Sequence, residues 1–432
     1  MSHSNPTLGL WRNRTFSILF TAQAISLAGS GVTTIALALF AYRIAGPAAA
    51  TGVLGQALML RILAFLIFSQ PAGILADLLN RKGVLIVSDL ARFGLMALFP
   101  FITSIWQVYV AVFAVNAFTA FFSPTFEASL PQIVGQDQYV KALAYSRVTV
   151  DIEAVGGPAL AALLLGVVSL RWVFWFDAIT YLVSAALVSS VQVPGPERSV
   201  GSLSVRMLLK ELTHGARVLF REPAIRQALV MSMAGATAGA CAIVVTIAYV
   251  RNLLGRSDMA FTLIMAGVGV GSSLAAVILS RVAAGLERQT EGGAQLHGLR
   301  HRWASYAVLL GGAVAALSLL PGALRPPIFI FGVLWIANGA AQALIEIPSA
   351  TLVAEHTSAD ERGRAYAALF AITHAFWLFT YQVTGYLAGA IGADRTFTVC
   401  GIACLLICLI ALLVGRGSHE AHMHRRANRV MD

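Results

Sequence analysis

The residues of this sequence that could bind ions or move protons are ionisable side chains inside long apolar stretches. Placing a charged group in hydrocarbon is costly unless the group is paired or hydrated, so such residues are candidates for binding ions or moving protons. The residues in these positions are Arg61, Asp151, Glu153, Glu346 and His374.

Two carboxylates lie close together in one of these stretches. Asp151 and Glu153 are two residues apart, so on a helix they point about 200° apart and cannot share one face. Arg147, one turn earlier, can pair with Asp151 in a purely structural role. Glu153 lacks such a local partner, and Arg61 is a candidate from another stretch. Because a carboxylate beside a mobile arginine can take up or release a proton as the arginine moves, proton coupling and static helix contact both remain open.

Glu346 ends a polar stripe, because Asn338, Gln342 and Glu346 follow each other at four-residue spacing on one helix face. Its carboxylate could bind protons or a cationic substrate, or it could be a charge at the membrane edge. His374 can titrate near neutral pH, although a hydrogen-bonded packing role is the simpler interpretation. Polar side chains in apolar helices usually face the interior, and the residues expected to line a central cavity are Gln23, Asn116, Asn338, Gln342 and His374.

The composition places these residues in a membrane protein. The 432-residue chain is 58% hydrophobic and 12% charged, whereas soluble proteins carry about 25% charged residues. Apolar stretches of about 20 residues, the length that crosses roughly 30 Å of hydrocarbon, recur along the chain. They predict an all-α membrane protein with twelve transmembrane helices. Eleven or thirteen are alternatives, because residues 101–107 barely interrupt the apolar pattern.

The basic residues set the orientation. The net charge is +10, and most Lys and Arg fall in loops on the side of the membrane that also holds both ends of the chain. The positive-inside rule therefore predicts cytoplasmic termini. The sequence has no basic face with interleaved aromatic residues, so the charge does not indicate nucleic-acid binding.

The longest polar break, residues 193–223, divides the chain into halves. Within it, apolar residues recur at helical spacing with charged residues between them, which predicts an amphipathic helix along the inner membrane surface. The expected domains are a six-helix bundle at 1–192, this linker at 193–223, a second six-helix bundle at 224–416 and a cytoplasmic tail at 417–432.

A charged turn between the second and third apolar stretches carries a family resemblance. Its residues that match the signature Gly-x-Leu-Ala-Asp-x-x-Gly-Arg-Lys/Arg are Gly73, Leu75, Ala76, Asp77, Arg81 and Lys82. The segment resembles the signature loop of the major facilitator superfamily of transporters. Asn80 replaces the second glycine, and we expect the turn to survive because Asn tolerates left-handed backbone. Together with twelve spans and a central linker, the resemblance extends over nearly the whole chain.

The resemblance implies that this turn belongs to a conformational latch. Asp77 could accept hydrogen bonds from the start of a neighbouring helix, and Arg81 could pair with Asp77 or with Asp89. Ordinary anchoring charges at the membrane edge are the alternative. The expected latch residues are Gly73, Asp77, Arg81, Lys82, Asp89 and Arg92.

Two further motifs resemble the drug and macrolide efflux branch of this superfamily. The first is Val-Ser-Asp89-Leu-Ala-Arg92 together with residues 177–184. The second is the expected helix kink, formed by Gly156, Gly157 and Pro158, which resembles the Gly-Pro element of the antiporter motif. The flanking glycines of that motif are replaced by residues such as Ala159, so antiport is only partly indicated.

These observations predict a secondary active transporter, a monomer that uses protons to export hydrophobic or amphipathic small molecules across a bacterial inner membrane. The expected proton-coupling residues are Arg61, Asp151, Glu153 and Glu346. We expect no enzyme activity, cofactor or resident metal, because the sequence lacks a phosphate-binding loop and a clustered nucleophile and base. The alternatives are a narrow exporter of a siderophore, metabolite or metal ion, and a receptor or scaffold without transport.

Overall fold

The computed structural model describes the backbone of residues 10–195, 205–290 and 297–431, which is helical and contains no strand. Within these helices, some side chains lie outside the description. They belong to residues 70, 73–78, 136–137, 140, 144, 147–148, 150–152, 154–155, 205–212, 286–290, 297–302, 359–360 and 416–431.

The described residues form the following long helices, numbered in chain order. They are α1 (Arg14–Leu78), α2 (Arg81–Leu98), α3 (Ile105–Val134), α4 (Gln136–Val167), α5 (Leu170–Ser189), α6 (Val205–Arg221), α7 (Pro223–Leu253), α8 (Asp258–Thr290), α9 (His297–Leu319), α10 (Ile328–His356), α11 (Ala359–Ile391) and α12 (Ala393–Met431). Among the described residues, nine helices are long and apolar enough to cross a membrane. Large apolar side chains on their outer faces are exposed, as Leu406 and Leu409 are on α12. A lipid bilayer covers such surfaces at no cost, so this is a multi-pass membrane protein.

Helix α1 consists of two arms that meet at Gly46. The backbone of Gly46 has φ 75° and ψ 171°, a conformation open to glycine but strained for other residues. Pro47 follows, and a proline at the first helical position suits the start of the second arm. Each arm, 14–45 and 47–78, is about 48 Å long at 1.5 Å per residue, which is enough to cross a bilayer.

Asn80 ends the signature turn differently from our expectation. Its backbone is extended, with φ −62° and ψ 103°, and not left-handed. Its side-chain oxygen accepts hydrogen bonds from the backbone N–H groups of Lys82 at 3.1 Å and Gly83 at 3.4 Å. Asn80 therefore replaces the glycine of the signature as the N-cap of α2, a position that favours Asn.

The chain forms two compact units. The first comprises residues 1–202 and 258–266, and in it α1 packs against α3, α4 and α5 while α2 packs against α3 and α5. The second comprises residues 203–257 and 267–432, and in it α7 packs against α9, α10, α11 and α12.

The amphipathic helix α6 packs against α11 within the second unit. A Cβ atom at Gly215 would lie only 2.2 Å from the carbonyl oxygen of Arg364, so the two helices are in direct backbone contact. Val218 and Leu219 are buried, while Phe220 is exposed. Part of the apolar face that we expected on the membrane surface therefore covers protein instead.

Candidate functional site

The inner face of α5 carries a polar stripe into the first unit. Asp177, Thr180, Tyr181 and Ser184 follow the i, i+3, i+4, i+7 spacing of a single helix face. All four are buried, with at most 6% of each residue exposed. Because buried polar groups need hydrogen-bond partners, this stripe determines which groups the neighbouring helices must present.

At one end of the stripe lies a buried ion pair between Asp89 and Arg92, one turn apart on α2. The second carboxylate oxygen of Asp89 accepts a hydrogen bond from Ser184 Oγ at 2.7 Å. The Arg92 guanidinium lies between the rings of Phe122 and Tyr181, 4.6 Å and 4.4 Å from their centroids. Asp89 is fully buried and Arg92 only 2% exposed, so ion pairing, a hydrogen bond and two cation–π contacts stabilise charges that water does not reach.

At the other end of the stripe lies Asp177, with a different environment. Its Oδ2 accepts a hydrogen bond from Thr33 Oγ1 of α1 at 2.6 Å. Thr180 Oγ1 is 3.4 Å from Asp177 Oδ1 but only 2.7 Å from the backbone carbonyl of Asp177, so its single proton goes to the carbonyl. Among the described side chains, no cation lies within ion-pair distance of Asp177.

Small residues on α1 allow this close contact with α5. A Cβ atom at Gly29 would lie 2.4 Å from Asp177 Oδ1 and 2.3 Å from Thr180 Oγ1, so only glycine fits. Ser30 Oγ and Tyr181 Oη lie 2.9 Å apart in a hydrogen bond. The polar network therefore joins α1, α2 and α5.

Glu153 of α4 lies against the same helix α1. A Cβ atom at Gly31 would be 2.9 Å from both the Glu153 carbonyl oxygen and the Cα atom of Gly157. Arg61, on the second arm of α1, donates a hydrogen bond to Thr34 Oγ1 at 3.1 Å and attracts the Glu153 carboxylate over a longer distance. The structure thus places the predicted partners Arg61 and Glu153 near each other without a direct ion pair among the described contacts.

The Gly-Pro element has a clear structural role. Gly157 is buried against Gly31, where an added Cβ atom would lie 2.7 Å from backbone atoms of α1. Helix α4 continues through Pro158, and Gly156 is half-buried. The element lets two backbones touch beside Glu153. The neighbouring candidate Asp151 has its side chain outside the described part of the chain.

The structure describes only part of the latch. The side chains of Gly73 and Asp77 lie outside the described residues. Arg81 is buried and donates to Gln132 Oε1 of α3 at 2.9 Å. Lys82 Nζ donates to the carbonyl oxygen of Ser189, at the end of α5, at 2.7 Å. These two basic residues tie the start of α2 to its neighbours.

Asp89 and Arg92 do not extend this set of contacts. We expected that Asp89 could pair with Arg81, but the partners of Asp89 are Arg92 and Ser184. The reason is depth: Asp89 lies more than two turns into α2, beside the polar stripe of α5. The two residues belong to the buried network and are not edge charges.

The expected polar stripe of α10 is divided between three environments. Asn338 is fully buried and donates to Ser318 Oγ of α9 at 3.1 Å. Gln342 donates to the carbonyl oxygen of Gly235 on α7 at 2.9 Å. Glu346 is exposed. The first two side chains thus connect helices through their amide nitrogens, while the buried side-chain oxygen of Asn338 has no hydrogen-bond partner among the described residues.

The other cavity candidates also have local partners. Gln23 is buried and accepts a hydrogen bond from Ser146 Oγ at 3.0 Å. Asn116 is half-buried and donates to the carbonyl oxygen of Val112 in its own helix at 2.7 Å. His374 Nδ1 lies 2.9 Å from the carbonyl oxygen of Phe370. As buried residues, Gln23 and Asn338 belong to helix packing rather than to a cavity surface in this structure.

The sequence contained a signal for Asp177 that we did not use. The spacing of Asp177, Thr180, Tyr181 and Ser184 is visible in the sequence, but we used this stretch only for its family resemblance. The partner Thr33 gave no signal, because a threonine in an apolar helix is common. Within the described part of the chain, no cluster of three or more His, Cys, Asp or Glu side chains could hold a metal ion.

Together, the membrane-spanning helices and a buried charge network define a membrane transport protein. The sequence model described as the Major Facilitator Superfamily matches residues 19–291 and 294–429. The chain belongs to this family and is a transporter.

Bacterial relatives of the chain include drug efflux proteins. The chain is 24% identical over 421 residues to the uncharacterized transporter YfiS of Bacillus subtilis, covering 94% of each chain. It is 28% identical over 214 residues to macrolide efflux protein A of Streptococcus pyogenes, covering 48% of this chain and 52% of that protein. It is 22% identical over 414 residues to the multidrug efflux pump Tap of Mycolicibacterium fortuitum, covering 92% of this chain and 95% of that protein. These similarities agree with the resemblance to the drug efflux branch.

Solved structures show the same fold at low sequence identity. A bacterial homolog of the human lysosomal transporter Spinster superposes with a TM-score of 0.72 at 12% identity, covering 96% of this chain and 98% of that chain. A POT family transporter in complex with 5-aminolevulinic acid superposes with a TM-score of 0.69 at 12% identity, covering 94% and 96%. At such identities the likeness concerns the fold alone.

Proposed function

We propose that this chain is a proton-coupled exporter of hydrophobic or amphipathic small molecules, of the multidrug or macrolide type. It works as a secondary active transporter by alternating access. The support is family membership, together with relatives whose names state macrolide efflux and multidrug efflux. The main support for proton coupling is the position of Glu153, a carboxylate in the bilayer region that lies beside helix α1 and near Arg61.

The proposed topology has twelve spans in two six-helix bundles, with both termini in the cytoplasm. The two arms of α1 count as two spans, and ten more come from α2 to α5 and α7 to α12. Helix α6 stays outside the membrane as part of the linker. The distribution of Lys and Arg supports this orientation through the positive-inside rule.

In the proposed cycle, Glu153 exchanges a proton as α1 and α4 change their contact. The Gly31–Gly157 contact holds the two backbones together, and Arg61 attracts the Glu153 carboxylate from the second arm of α1. A shift of either arm changes the distance between carboxylate and guanidinium, and with it the preference of Glu153 for its charged form. Asp151 and Glu346 are further candidates for proton coupling.

The signature turn acts as the latch in this proposal. Gly73, Asp77, Arg81 and Lys82 stabilise one state of the cycle, and the contacts of Arg81 and Lys82 with α3 and α5 support this role. Gln342, Asn116 and His374 are the polar candidates for the substrate cavity, because their side chains are only half-buried.

The first experiment identifies a substrate. The purified chain is heated with a panel of macrolides and lipophilic cations, because a ligand at 100 times its Kd stabilises the native state by about 2.7 kcal/mol. Compounds that stabilise the chain are then tested in proteoliposomes for substrate-driven proton movement. Absence of flux with every compound of the panel would contradict the drug efflux proposal.

The second experiment tests the coupling residues with such a substrate. We expect Glu153→Gln and Asp151→Asn to abolish uphill export while substrate binding is retained, because a neutral amide cannot release a proton. The matched control is Asp394→Asn, which removes a carboxylate from an ion pair with Arg325 at the end of a helix, where the Arg325 side chain is 57% exposed. Normal uphill transport by both test variants would refute the assignment.

A further inference from the structure

The described charges inside the first unit do not balance. The carboxylates that interact with the α5 stripe or belong to it are Asp89, Glu153 and Asp177, whereas the guanidiniums that interact with these carboxylates are Arg61 and Arg92. An arginine keeps its charge in proteins. Arg147 and Asp151, whose side chains lie outside the described part, carry one charge of each sign and leave the difference unchanged. One carboxylate is thus in excess, and a proton would neutralise it.

Two of the three carboxylates have a cation available. Asp89 forms an ion pair with Arg92 and also accepts a hydrogen bond from Ser184. Glu153 is attracted by Arg61. Each of these two carboxylates thus has a cation that favours its charged form, whereas Asp177 has none in direct contact among the described side chains, which makes Asp177 the candidate for the neutral form.

The groups that face Asp177 from each neighbouring helix supply hydrogen bonds and the distant charge of Arg92, but no counterion in direct contact. From α1 come Gly29 and the hydroxyl of Thr33, neither of which is charged. From α2 comes Arg92, which is engaged by Asp89 and covered by the ring of Tyr181. From α4 comes the negative charge of Glu153, which opposes a second charge nearby. On α5 itself, the Tyr181 hydroxyl is neutral and bonded to Ser30.

The hydrogen-bond geometry fits a protonated Asp177. Thr33 donates to Oδ2 at 2.6 Å, which leaves Oδ1 to carry the proton. The nearest acceptor for that proton is Thr180 Oγ1 at 3.4 Å, whose lone pairs are free because its own hydrogen goes to the Asp177 carbonyl. A neutral Asp177 therefore completes a chain of donors and acceptors, whereas an ionised one leaves Oδ1 in a buried site with only the long 3.4 Å contact of Thr180 Oγ1 as a donor.

We propose that Asp177 is a second proton-binding site, protonated in this conformation, which releases its proton when α1 and α5 move apart. Release transfers the proton from Oδ1 to entering water and leaves a carboxylate. The absence of side chains at Gly29 closes the site to water as long as the helices touch. The use of this proton for transport rests on the proposed function, whereas the protonation of Asp177 does not.

The test is infrared difference spectroscopy of the full chain reconstituted in lipid. We expect a carboxylic acid C=O band at neutral pH that disappears in Asp177→Asn but persists in Glu153→Gln and in the matched control Asp394→Asn, whose carboxylate belongs to the other unit. The same band in Asp177→Asn at undiminished intensity would overturn the proposal. Thr33→Val provides a second, milder variant: loss of its hydrogen bond to Oδ2 shifts the band to higher frequency, and an unshifted band would also count against the site.

Transport separates this proposal from the proposed function. In proteoliposomes with a substrate of the wild-type chain, Asp177→Asn is expected to move one proton fewer per substrate molecule. Proton-coupled export with an unchanged proton count in Asp177→Asn contradicts the second site and leaves the proposed function intact. An Asp177 band without any proton movement contradicts the proposed function and leaves the binding site intact.

Discussion

The buried pair of Asp89 and Arg92 allows a quantitative test of the network. Asp89→Asn removes the negative charge and leaves Arg92, only 2% exposed, without a counterion. Breaking a buried pair in this way costs about 3–5 kcal/mol of stability. We expect about 3 kcal/mol, the lower end, because the rings of Phe122 and Tyr181 still contact the guanidinium and such contacts are each worth about 1–2 kcal/mol.

The companion variant removes the cation. Arg92→Met leaves the Asp89 carboxylate buried with Ser184 as its remaining donor, and we again expect a loss of about 3–5 kcal/mol. The double variant leaves no uncompensated charge, so it is expected to be more stable than either single variant. The coupling energy should reach about 3 kcal/mol, the upper end for residues in contact.

The assay is unfolding of the four proteins in mixed micelles at increasing denaturing detergent, followed by far-UV circular dichroism at one fixed lipid composition. The ion pair of Arg325 and Asp394 supplies the control, because the side chains are 57% and 14% exposed and pairs that solvent reaches contribute about 0–1 kcal/mol. Strictly additive losses in the double variant would refute the view that these two charges stabilise each other.

Two further predictions concern helix contacts and exposed charges. Gly31→Val adds a side chain whose Cβ atom would lie 2.9 Å from backbone atoms of α4, so we expect a loss of about 1–3 kcal/mol of stability and reduced transport. Gly94→Ala adds a Cβ atom with no other atom within 4 Å, so we expect a gain of about 0.5–1 kcal/mol of stability. Equal effects of the two substitutions would contradict the contact between Gly31 and α4. Asp394→Asn is expected to change the free energy of unfolding by at most about 1 kcal/mol and to leave proton movement unchanged. A loss of proton coupling in this variant would show that the assay does not report on the buried carboxylates alone.

The class of fold could be predicted because the bilayer restricts it. Spanning segments must satisfy their backbone hydrogen bonds internally, so apolar stretches of sufficient length become helices whatever their neighbours are. The break at Gly46 divides α1 into two arms, because glycine can adopt the positive φ of 75° that interrupts the helix. The conformation of Asn80 was harder to predict, because Asn serves equally well in a left-handed turn and as an N-cap.

The partners of the polar side chains could not be predicted, because they depend on which helices pack together. Asn338, Gln342 and Glu346 share a spacing that indicates one face, yet α10 is packed on more than one side, so Asn338 contacts α9 and Gln342 contacts α7. Likewise, Asp89 could pair with Arg81 or Arg92 by charge alone. Ser184 of α5 lies inside the unit and bonds Asp89 there, so Asp89 pairs with Arg92, one turn further along α2.

Tyr181 explains how one helix face can hold an ion pair and a neutral carboxyl group together. It lies between Asp177 and Ser184 on α5, and its ring covers the Arg92 guanidinium at 4.4 Å. Its hydroxyl is held by Ser30 of α1, so the ring position depends on the same α1–α5 contact that encloses Asp177. If that contact opens, Asp177 gains water and the ring loses its anchor at once. Arg92 then becomes able to attract the newly formed carboxylate, which couples proton release at one end of the stripe to the ion pair at the other.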